Sequence, residues 1–482
     1  MSRPPLPAAF LARERLRQGD AAADDLAAAL ERTPDLGLRA NPRVGGVREI
    51  AERRGWAAQA VPWCLEGATL ARTARGTHPA TRHPWHDAGA YYLQDPSAMG
   101  VVPLLDPRPG ELVLDLAAAP GGKATHVAAR LGVDGLLWAH DAVPARAEAL
   151  VRNLERWGAP HAVVSRGDPR HLRRLGPAFD RVLVDAPCSG EGMFRKSDAA
   201  RERWSLHRVR ACAAVQGHLV DLACDLLKPG GVLVYATCTF APEEDEGVVE
   251  ALLRRRPDMD LEDLAAGGIR PLASDAGDGP VAQGTVRWWP HRGPGEGHFA
   301  ARLRRRGEPT ASSARAPRPT ATLRPADAGQ VAAWRAFATE TLGTPPLPGQ
   351  RLATDGERLW SVPSLAWSLP LAGARAGVPL GRVATDRLGR RRFEPHHALT
   401  RVLPDLGRSC ATLDLDEDDP RVAAYLRGEP LPAPGMEGWA VVRVDGVPLG
   451  WLKGHGGHGN NHYPRGLRRG PGPPPELDAN GS

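Results

Sequence analysis

The sequence predicts an α/β fold: a mainly parallel sheet with helices on both faces, flanked by an N-terminal α+β appendage and a C-terminal, mostly β module. Two observations carry this prediction. Between about residues 111 and 240, apolar strands alternate with helical segments, which is the pattern of a parallel sheet covered by helices. Residues 304–327, rich in Pro, Ser, Thr and Arg, then separate this region from further short apolar runs.

The hydrophobic pattern of the central region predicts the individual elements. We expect strands at ELVLDLA, GLLWAHD, AVVSRGD, DRVLVDAP and GVLVYATC, and helices over 122–131, 144–157 and 208–228. Ligands of such sheets bind at the carboxyl ends of the strands. The candidate site is therefore expected where these apolar runs end.

The predicted division of the chain has five parts. They are an appendage at 1–95, the α/β domain at 96–303, an exposed linker at 304–327, a mostly β region at 328–469 and a disordered tail at 470–482. GLRANPRVGG predicts a strand that ends in a Gly-rich turn within the appendage, and residues 328–342 predict a helix.

Composition limits the class of function. With 42% hydrophobic and 24% charged residues, the 482-residue chain has the balance of a globular, water-soluble protein. No apolar run approaches the roughly 20 residues of a membrane span, and the N-terminus lacks the apolar core of a signal peptide, so a cytoplasmic protein is expected. A net charge of +6 and a pI near 9.2 favour a polyanionic partner.

A strand followed by a turn of small residues predicts a cofactor site. In VLDLAAAPGGK, residues 113–123, the Ala and Gly residues leave room for a nucleotide-like ligand beside the backbone, although an ordinary strand-to-helix turn is the alternative. Asp141 and Asp168 end the next two strands, where a carboxylate can accept hydrogen bonds from ribose hydroxyls or meet the adenine edge. These two acids favour the ligand site.

The turn also limits the identity of the cofactor. It has neither G-x-G-x-x-G nor a Walker lysine followed by Ser or Thr, so neither a dinucleotide nor a triphosphate is indicated. S-adenosylmethionine fits better, because its cationic sulfonium calls for acidic side chains. Two roles stay open for Lys123, which can meet the ligand carboxylate or cap the loop.

Two cysteines stand at the ends of neighbouring strands beside this turn, Cys188 in DAPCSGEGMFRK and Cys238 in YATCTF. A single buried cysteine is usually just a small apolar residue, which is the interpretation for Cys64, Cys212, Cys224 and Cys410. Carbon 5 of cytosine, however, is a poor nucleophile, so its methylation needs a thiolate on carbon 6 first and loss of a proton afterwards. A nucleophile and a second proton-handling group together explain two cysteines.

These motifs resemble the Nop/Sun RNA cytosine-5 methyltransferases, and particularly their RsmF-type members. The resemblance covers YYLQDPSAM, DLAAAPGGK, DAPCSGEGMFRK, ATCTFAPEEDE and WWPHRGPGEGHFAARL. RRFEPHHAL, together with GWLKGHGGHGNNHYPRGLRR, is similar to the PUA-like RNA-binding end of that type. The resemblance implies a Rossmann-like, S-adenosylmethionine-dependent methyltransferase domain between two RNA-binding regions.

The resemblance also implies residue roles. Cys238 is the attacking thiolate, Cys188 is needed to release the methylated product, and Asp185 is the partner of the cytosine N3 and N4 edge. The implied cofactor contacts are Ala117, Ala118, Ala119, Pro120, Gly121, Gly122, Lys123, Asp141, Asp168 and Asp185. The implied substrate is 16S (small-subunit) ribosomal RNA near its decoding region, with no metal in catalysis.

The nucleic acid expected as substrate is RNA and not DNA. DNA cytosine-5 methylases carry their nucleophile after the Pro of Pro-Cys-Gln, whereas this chain has Pro-Cys-Ser plus Thr-Cys. Five positions depart from the family pattern: Ala117 stands where Cys is frequent, His140 where Asn is common, the pair His298 and Phe299 where two aromatic residues are usual, and Asn460 where Lys is common.

Several weaker signals leave alternatives open. The C-terminal tract is either an RNA contact or a solvated basic tail; its residues are Lys453, His462, Tyr463, Arg465, Arg468 and Arg469. The glycine-rich spacing of its histidines does not predict a metal site. Arg195, Lys196 and Asp198 can contact RNA phosphates or cap the next helix. A non-catalytic RNA-binding assembly factor, or a methylase of proteins or small molecules, is the alternative function, and a monomer is expected.

Overall fold

The computed structural model describes residues 3–71, 79–264, 281–308, 323–343, 350–369, 373–385, 391–403 and 410–470. Most of the predicted linker, residues 309–322, and the predicted tail after residue 470 lie outside the described residues. None of the helices in the described ranges is long and apolar enough to cross a membrane.

The N-terminal part combines short helices with a four-stranded antiparallel sheet in the order β2-β3-β1-β4. The helices are α1 (Ala8–Gln18), α2 (Asp20–Glu31), α3 (Val47–Arg53) and α4 (Pro84–Asp87). The strands are β1 (Leu36–Ala40), β2 (Ala58–Val61), β3 (Cys64–Leu70) and β4 (Tyr91–Leu93). The predicted strand in GLRANPRVGG is thus β1, which ends before the glycine turn.

The central part confirms the predicted mainly parallel sheet with helices on both faces. Its strands are β5 (Leu112–Asp115), β6 (Leu136–Asp141), β7 (Ala162–Arg166), β8 (Phe179–Asp185), β9 (Leu227–Thr237), β10 (Met259–Leu261), β11 (Thr285–Trp288) and β12 (His298–Arg305). Its helices are α5 (Val101–Leu105), α6 (Gly122–Leu131), α7 (Pro144–Trp157), α8 (Asp198–Arg203), α9 (Leu206–Leu226) and α10 (Glu246–Arg255). The third predicted helix therefore begins and ends two residues earlier than expected.

Strand order brings the predicted site residues to one edge of this sheet. The parallel strands run β9-β8-β5-β6-β7, and the antiparallel β12 lies beside β9. Buried apolar side chains cover both faces of the sheet, which explains why its strands are continuous apolar runs. The ends of β5, β6, β8 and β9 consequently meet at one edge.

The C-terminal part contains two five-stranded sheets rather than one module. Its strands are β13 (Arg324–Pro325), β14 (Gln350–Thr354), β15 (Arg358–Pro363), β16 (Arg375–Ala376), β17 (Val378–Thr385), β18 (Arg391–Pro395), β19 (Ala411–Leu415), β20 (Leu431–Pro432), β21 (Gly438–Val444), β22 (Val447–His455) and β23 (His458–Asn461). Its helices are α11 (Ala328–Phe337), α12 (Leu399–Val402) and α13 (Pro420–Arg427). The sheet orders are β13-β14-β15-β17-β18 and β19-β21-β22-β23-β20.

The three parts are packed against one another. β16 pairs with β7 and so extends the central sheet with a strand from the C-terminal part. The indole N–H of Trp85, in α4, donates a 2.9 Å hydrogen bond to the carbonyl of Val444, in β21. The N-terminal sheet and the last sheet also share one apolar core.

Candidate active site at the strand ends

The turn after β5 forms the first wall of the candidate site. The chain passes from the buried β5 through residues 116–121 into α6, which begins at Gly122. Gly121 has φ = +119°, and a Cβ there would lie 3.3 Å from a methyl carbon of Leu150. This backbone conformation and the close contact explain why the sequence has glycine at the point where the turn enters the helix.

The predicted ribose-binding acid, Asp141, lies beside this turn at the end of β6. It is 2% exposed, and its carboxylate accepts hydrogen bonds from the backbone N–H groups of Ala119, at 3.2 Å, and Val143, at 2.9 Å. The N–H of Ala118 in turn donates to the carbonyl of His140 at 2.8 Å. Asp141 is therefore held against the small-residue turn, where the sequence predicted it.

Asp168 follows β7 but is engaged differently. Its carboxylate accepts from the backbone N–H of Arg170 at 2.9 Å and forms an ion pair with the guanidinium of the same residue. The hydrogen bonds from Arg170 lower the pKa of Asp168 to about 2. Its contact with an adenine edge stays a prediction.

Sequence reasoning missed Asp115, the last residue of β5. Its side chain is fully buried, and neither carboxylate oxygen has a hydrogen-bond partner among the described residues. Burial, together with the charge of Asp185, raises the pKa of Asp115 to about 8, although Lys123 acts in the opposite direction. The position after an apolar strand was visible in VLDLA, but that pattern does not say that the carboxylate lacks a partner.

These residues fit S-adenosylmethionine. The fit rests on Asp115, an unpartnered buried acid beside a turn of small residues, and on Asp141 at the neighbouring strand end. A cationic ligand would supply the partner that Asp115 lacks, whereas a phosphate would face two acids. Asp115, Asp141 and the turn at residues 117–123 would hold such a ligand.

The two predicted active-site cysteines meet at the ends of β8 and β9. Cys188 Sγ lies 3.2 Å from Cys238 Sγ, and both side chains are half-buried. The hydrogen bond with Cys238, together with burial, raises the pKa of Cys188 well above its usual range. Cys188 is therefore held as a protonated thiol beside the second sulfur.

Lys123 connects the cofactor turn to the end of β8. Its ammonium donates to Asp185 Oδ2 at 2.7 Å and to His298 Nε2 at 3.2 Å. Because an ammonium only donates, His298 must carry its proton on Nδ1, which lies 3.2 Å from the hydroxyl oxygen of Ser97. Burial, assisted by the charge of Lys123, lowers the pKa of His298 to about 4 and keeps its imidazole neutral.

Glu191 ties the loops after β8 and β9 to the N-terminal helix α1. Its buried carboxylate accepts two hydrogen bonds from the guanidinium of Arg13, at 2.8 and 2.7 Å. It also accepts from the indole N–H of Trp204, at 2.8 Å, and from the backbone N–H of Phe240, at 2.9 Å. The N-terminal part therefore fixes both cysteine-bearing loops.

Glu244 provides a second anchor for the same loops. Its Oε2 accepts from the backbone N–H of Ser189 and from the amide of Gln216, both at 2.9 Å. Gln216 also donates to the carbonyl of Pro187 at 3.0 Å, and the hydroxyls of Ser189 and Thr239 lie 2.9 Å apart. Side chains distant in sequence thus set the separation of the two thiols.

The basic residues after Cys188 point into the fold. The guanidinium of Arg195 is buried and pairs with Glu296 at 2.6 Å, and Lys196 pairs with Asp95 at 3.4 Å. Asp198 begins α8. Internal ion pairs therefore occupy both cations, which the sequence had left open as phosphate contacts.

The C-terminal tract divides into a surface part and a core part. The ring of His462 lies 4.5 Å from the ring of Trp439, and the ammonium of Lys453 lies 5.2 Å from the same ring. Tyr463, by contrast, is 2% exposed, and its ring centroid lies 5.4 Å from that of Tyr425. A partly exposed cation-aromatic cluster thus forms around Trp439, a residue that sequence reasoning missed.

Comparison with known families and proteins gives matches along most of the chain. The family described as 16S rRNA methyltransferase RsmB/F matches residues 102–304. The N-terminal domain of 16S rRNA methyltransferase RsmF matches residues 6–96, and the methyltransferase RsmF PUA domain matches residues 412–469.

Two curated relatives are similar over nearly their whole length, and both are called ribosomal RNA small subunit methyltransferase F. The protein of Klebsiella pneumoniae (strain 342) is 34% identical over 484 residues, which cover 96% of each chain. The protein of Escherichia coli O139:H28 (strain E24377A / ETEC) is 32% identical over 464 residues, which cover 92% of this chain and 93% of the relative.

Two solved structures share the fold over about three-fifths of this chain. A methyltransferase homolog protein from Pyrococcus horikoshii has a TM-score of 0.53 and 28% identity, covering 62% of this chain and 100% of that one. NSun6 from Pyrococcus horikoshii with SFG has a TM-score of 0.55 and 21% identity, covering 63% and 99%. The second likeness concerns the fold alone.

Proposed function

Because the chain belongs to the family of ribosomal RNA small subunit methyltransferase F, an S-adenosylmethionine-dependent family, we propose that it methylates carbon 5 of a cytidine in 16S ribosomal RNA through a covalent adduct on Cys238. The observation that carries the cytosine-5 assignment is the 3.2 Å contact of Cys188 and Cys238 at neighbouring strand ends. Methylation of an exocyclic amine needs no such pair.

We propose distinct roles for the two thiols. Cys238 matches the attacking cysteine of the Nop/Sun family, and Lys123 lies within electrostatic range of its sulfur. Cys188 matches the cysteine needed for release, and its hydrogen bond with Cys238 and its burial raise its pKa. The resemblance therefore supports Cys238 as the nucleophile.

The chain's own groups then handle the cytosine ring. The Cys238 thiolate adds to carbon 6, and Asp185 holds the N3 and N4 edge, where a hydrogen bond stabilises the electron pair that the addition moves onto the ring. S-adenosylmethionine, when bound, supplies the methyl group for carbon 5. The carbon 5 proton then passes to solvent water, its electron pair re-forms the carbon 5–carbon 6 double bond, and the carbon 6–sulfur bond breaks so that Cys238 leaves as a thiolate; Cys188 is proposed to assist this release.

Access to both ring carbons also limits the form of the substrate. Carbon 6 must be reached from the face of the ring and carbon 5 from its edge, so the base has to leave its helical stack. The cation-aromatic cluster around Trp439 and the basic residues of the C-terminal tract are proposed to contact the RNA. One chain supplies all of these groups, so we propose that the enzyme acts as a monomer. We place it in the cytoplasm, with its proposed RNA substrate.

The test is trapping of the adduct. Cys188→Ala, mixed with S-adenosylmethionine and 16S ribosomal RNA, should accumulate a denaturant-resistant protein–RNA complex, because release is blocked after methylation. Cys188→Ala/Cys238→Ala is the matched control and should form none. An active wild-type enzyme without an adduct in Cys188→Ala would overturn the assigned roles. A wild-type protein inert on every form of the RNA would favour a non-catalytic assembly factor.

A further inference from the structure

A cluster of side chains with metal-binding chemistry lies outside the candidate active site, between the N-terminal sheet and α6. Cys64 and Glu66 are two residues apart on β3 and so share one face of the strand. His126 and Arg130 are four residues apart on α6 and share one face of the helix. The two faces meet, and one ligand atom each from Cys64, Glu66 and His126 lie within 4.8 Å of one another.

Two of the three separations between ligand atoms are close to the edge lengths of a coordination tetrahedron. Cys64 Sγ lies 3.4 Å from Glu66 Oε2, and His126 Nε2 lies 3.7 Å from the same oxygen. A tetrahedral zinc ion, with about 2.3 Å to sulfur and about 2.0 Å to nitrogen and oxygen, holds its ligand atoms roughly 3.3–3.6 Å apart. Small side-chain adjustments would therefore place an ion between the three groups.

His126 is the observation that points to a ligand. Its side chain is 0% exposed, and within the described part of the chain neither ring nitrogen has a hydrogen-bond partner. Buried polar groups are normally satisfied, so an unpartnered imidazole beside a thiol and a carboxylate calls for an explanation. Burial, assisted by the charge of Arg39, lowers the pKa of His126 to about 3, which leaves the imidazole in the neutral form that binds metals.

The carboxylate of the cluster is already oriented. Arg130 donates to both oxygens of Glu66, each at 3.1 Å. Metal-binding carboxylates commonly have such a supporting partner.

We propose that Cys64, Glu66 and His126 bind one Zn²⁺ ion, with a fourth position open to water, and that this ion fastens the N-terminal sheet to α6. The thiol and imidazole favour zinc over magnesium or calcium, which take oxygen ligands. The ion supplies no group to methyl transfer. Its place at α6, the helix that begins at the cofactor turn, gives it a structural role.

Binding exchanges a proton for the metal without any redox change. The thiol of Cys64 loses its proton as the sulfur–zinc bond forms: Cys–SH + Zn²⁺ → Cys–S–Zn⁺ + H⁺. The incoming ion has to displace this proton, because only the thiolate form of cysteine binds zinc. Zinc affinity should therefore fall as the pH is lowered.

The first experiment measures bound metal directly. Tag-free protein, produced with added zinc and dialysed, should contain about one zinc ion per chain by inductively coupled plasma mass spectrometry. Cys64→Ser and His126→Gln should lose that zinc, whereas Cys212→Ser, at a half-buried cysteine outside the cluster, should keep it. Wild-type zinc no higher than in Cys64→Ser/His126→Gln would overturn the proposal.

A second measurement uses the wild-type protein, so its result does not depend on whether a variant folds. Cobalt(II) added to metal-free wild-type protein should give a thiolate-to-cobalt charge-transfer band and the visible bands of tetrahedral cobalt. Cys212→Ser should give the same spectrum. Folded wild-type protein, judged by circular dichroism and S-adenosylmethionine binding, that shows no thiolate band would also overturn the proposal.

Discussion

The ammonium of Lys123 donates a 2.7 Å hydrogen bond to the carboxylate of Asp185, which joins the cofactor turn to the end of β8. His298, from the antiparallel strand β12, holds the same ammonium on its other side. A single cation therefore pairs with Asp185 and lies within electrostatic range of Asp115 and Cys238.

Replacing this cation should slow the chemistry more than it weakens cofactor binding. Lys123→Met removes a positive charge near Cys238 and leaves the carboxylate of Asp185 without its ammonium partner, so we expect single-turnover methylation to fall by about 10²–10³-fold, the range for loss of one electrostatic group. S-adenosylmethionine affinity, measured by calorimetry, should change much less. Lys228→Met, at the Lys228–Asp180 pair away from the site, is the control and should keep normal rates.

The two cysteines should respond differently to substitution. Cys238→Ala should lose at least about 10³-fold in methylation rate, since a covalent nucleophile is removed. Its affinity for S-adenosylmethionine should stay unchanged, because the cofactor turn is intact. Cys212→Ala serves as the control. Normal turnover by Cys238→Ala would contradict the assignment.

The acids at the strand ends should differ in their effect on cofactor affinity. Asp141→Asn removes the negative charge that would accept hydrogen bonds from the ribose hydroxyls of S-adenosylmethionine beside the cofactor turn. Charge-assisted hydrogen bonds contribute about 1.5–3 kcal/mol, so we expect roughly 10–100-fold weaker binding of S-adenosylmethionine by calorimetry. Asp168→Asn should have a smaller effect, since Asp168 is largely engaged with Arg170. An equal or larger effect of Asp168→Asn would reverse this order.

The link between the N-terminal helix and the cysteine loops should be needed for both stability and activity. Glu191→Gln removes one of the two carboxylates that pair with the half-buried guanidinium of Arg13; Glu14 remains, so we expect the loss of a charged hydrogen-bond partner, about 1.5–3 kcal/mol in free energy of unfolding. Denaturant melts should show this loss, and kcat should fall because the loops are less fixed. Arg15→Ala, at an exposed ion pair with Asp24, should leave both unchanged.

Acid should destabilise the fold through buried histidines. Burial lowers the pKa of His161 to about 4, while its Nε2 faces the carbonyl of Ala128 at 3.0 Å. Because the folded pKa lies below the unfolded value of about 6.5, the unfolded state binds the proton first, and stability present above pH 6.5 is lost as the pH falls toward 4.

For His161 alone this loss is roughly 3 kcal/mol in free energy of unfolding. His161→Gln should remove that part of the pH dependence in denaturant melts at pH 7 and pH 4.5. A substitution at the exposed His207 should leave the change in free energy of unfolding with pH the same as in wild type. Equal slopes for wild type and His161→Gln would contradict the prediction.

Local patterns determined the elements that carry the site. The helices at 122–131 and 144–157 have the predicted bounds, because an apolar stripe, a starting Gly or Pro and a terminal Gly define each of them within its own sequence. Cys188 and Cys238 could be placed together because parallel strands end at one edge of a sheet. The Nop/Sun motifs then indicated the chemistry.

Tertiary structure decided what lies around those residues. His298 reaches Lys123 from an antiparallel strand, Glu191 is held by Arg13 from α1, and His126 faces Cys64 across two parts of the chain. The strand β16 extends the central sheet, but with two residues it is too short to show the alternation of apolar and polar residues that predicts a strand. Sequence periodicity reports which face of an element is buried, whereas the partner that buries it depends on packing between segments far apart in the chain. The sequence by itself thus determined the strands, the turn and the two thiols, and only the fold decided which charges surround them.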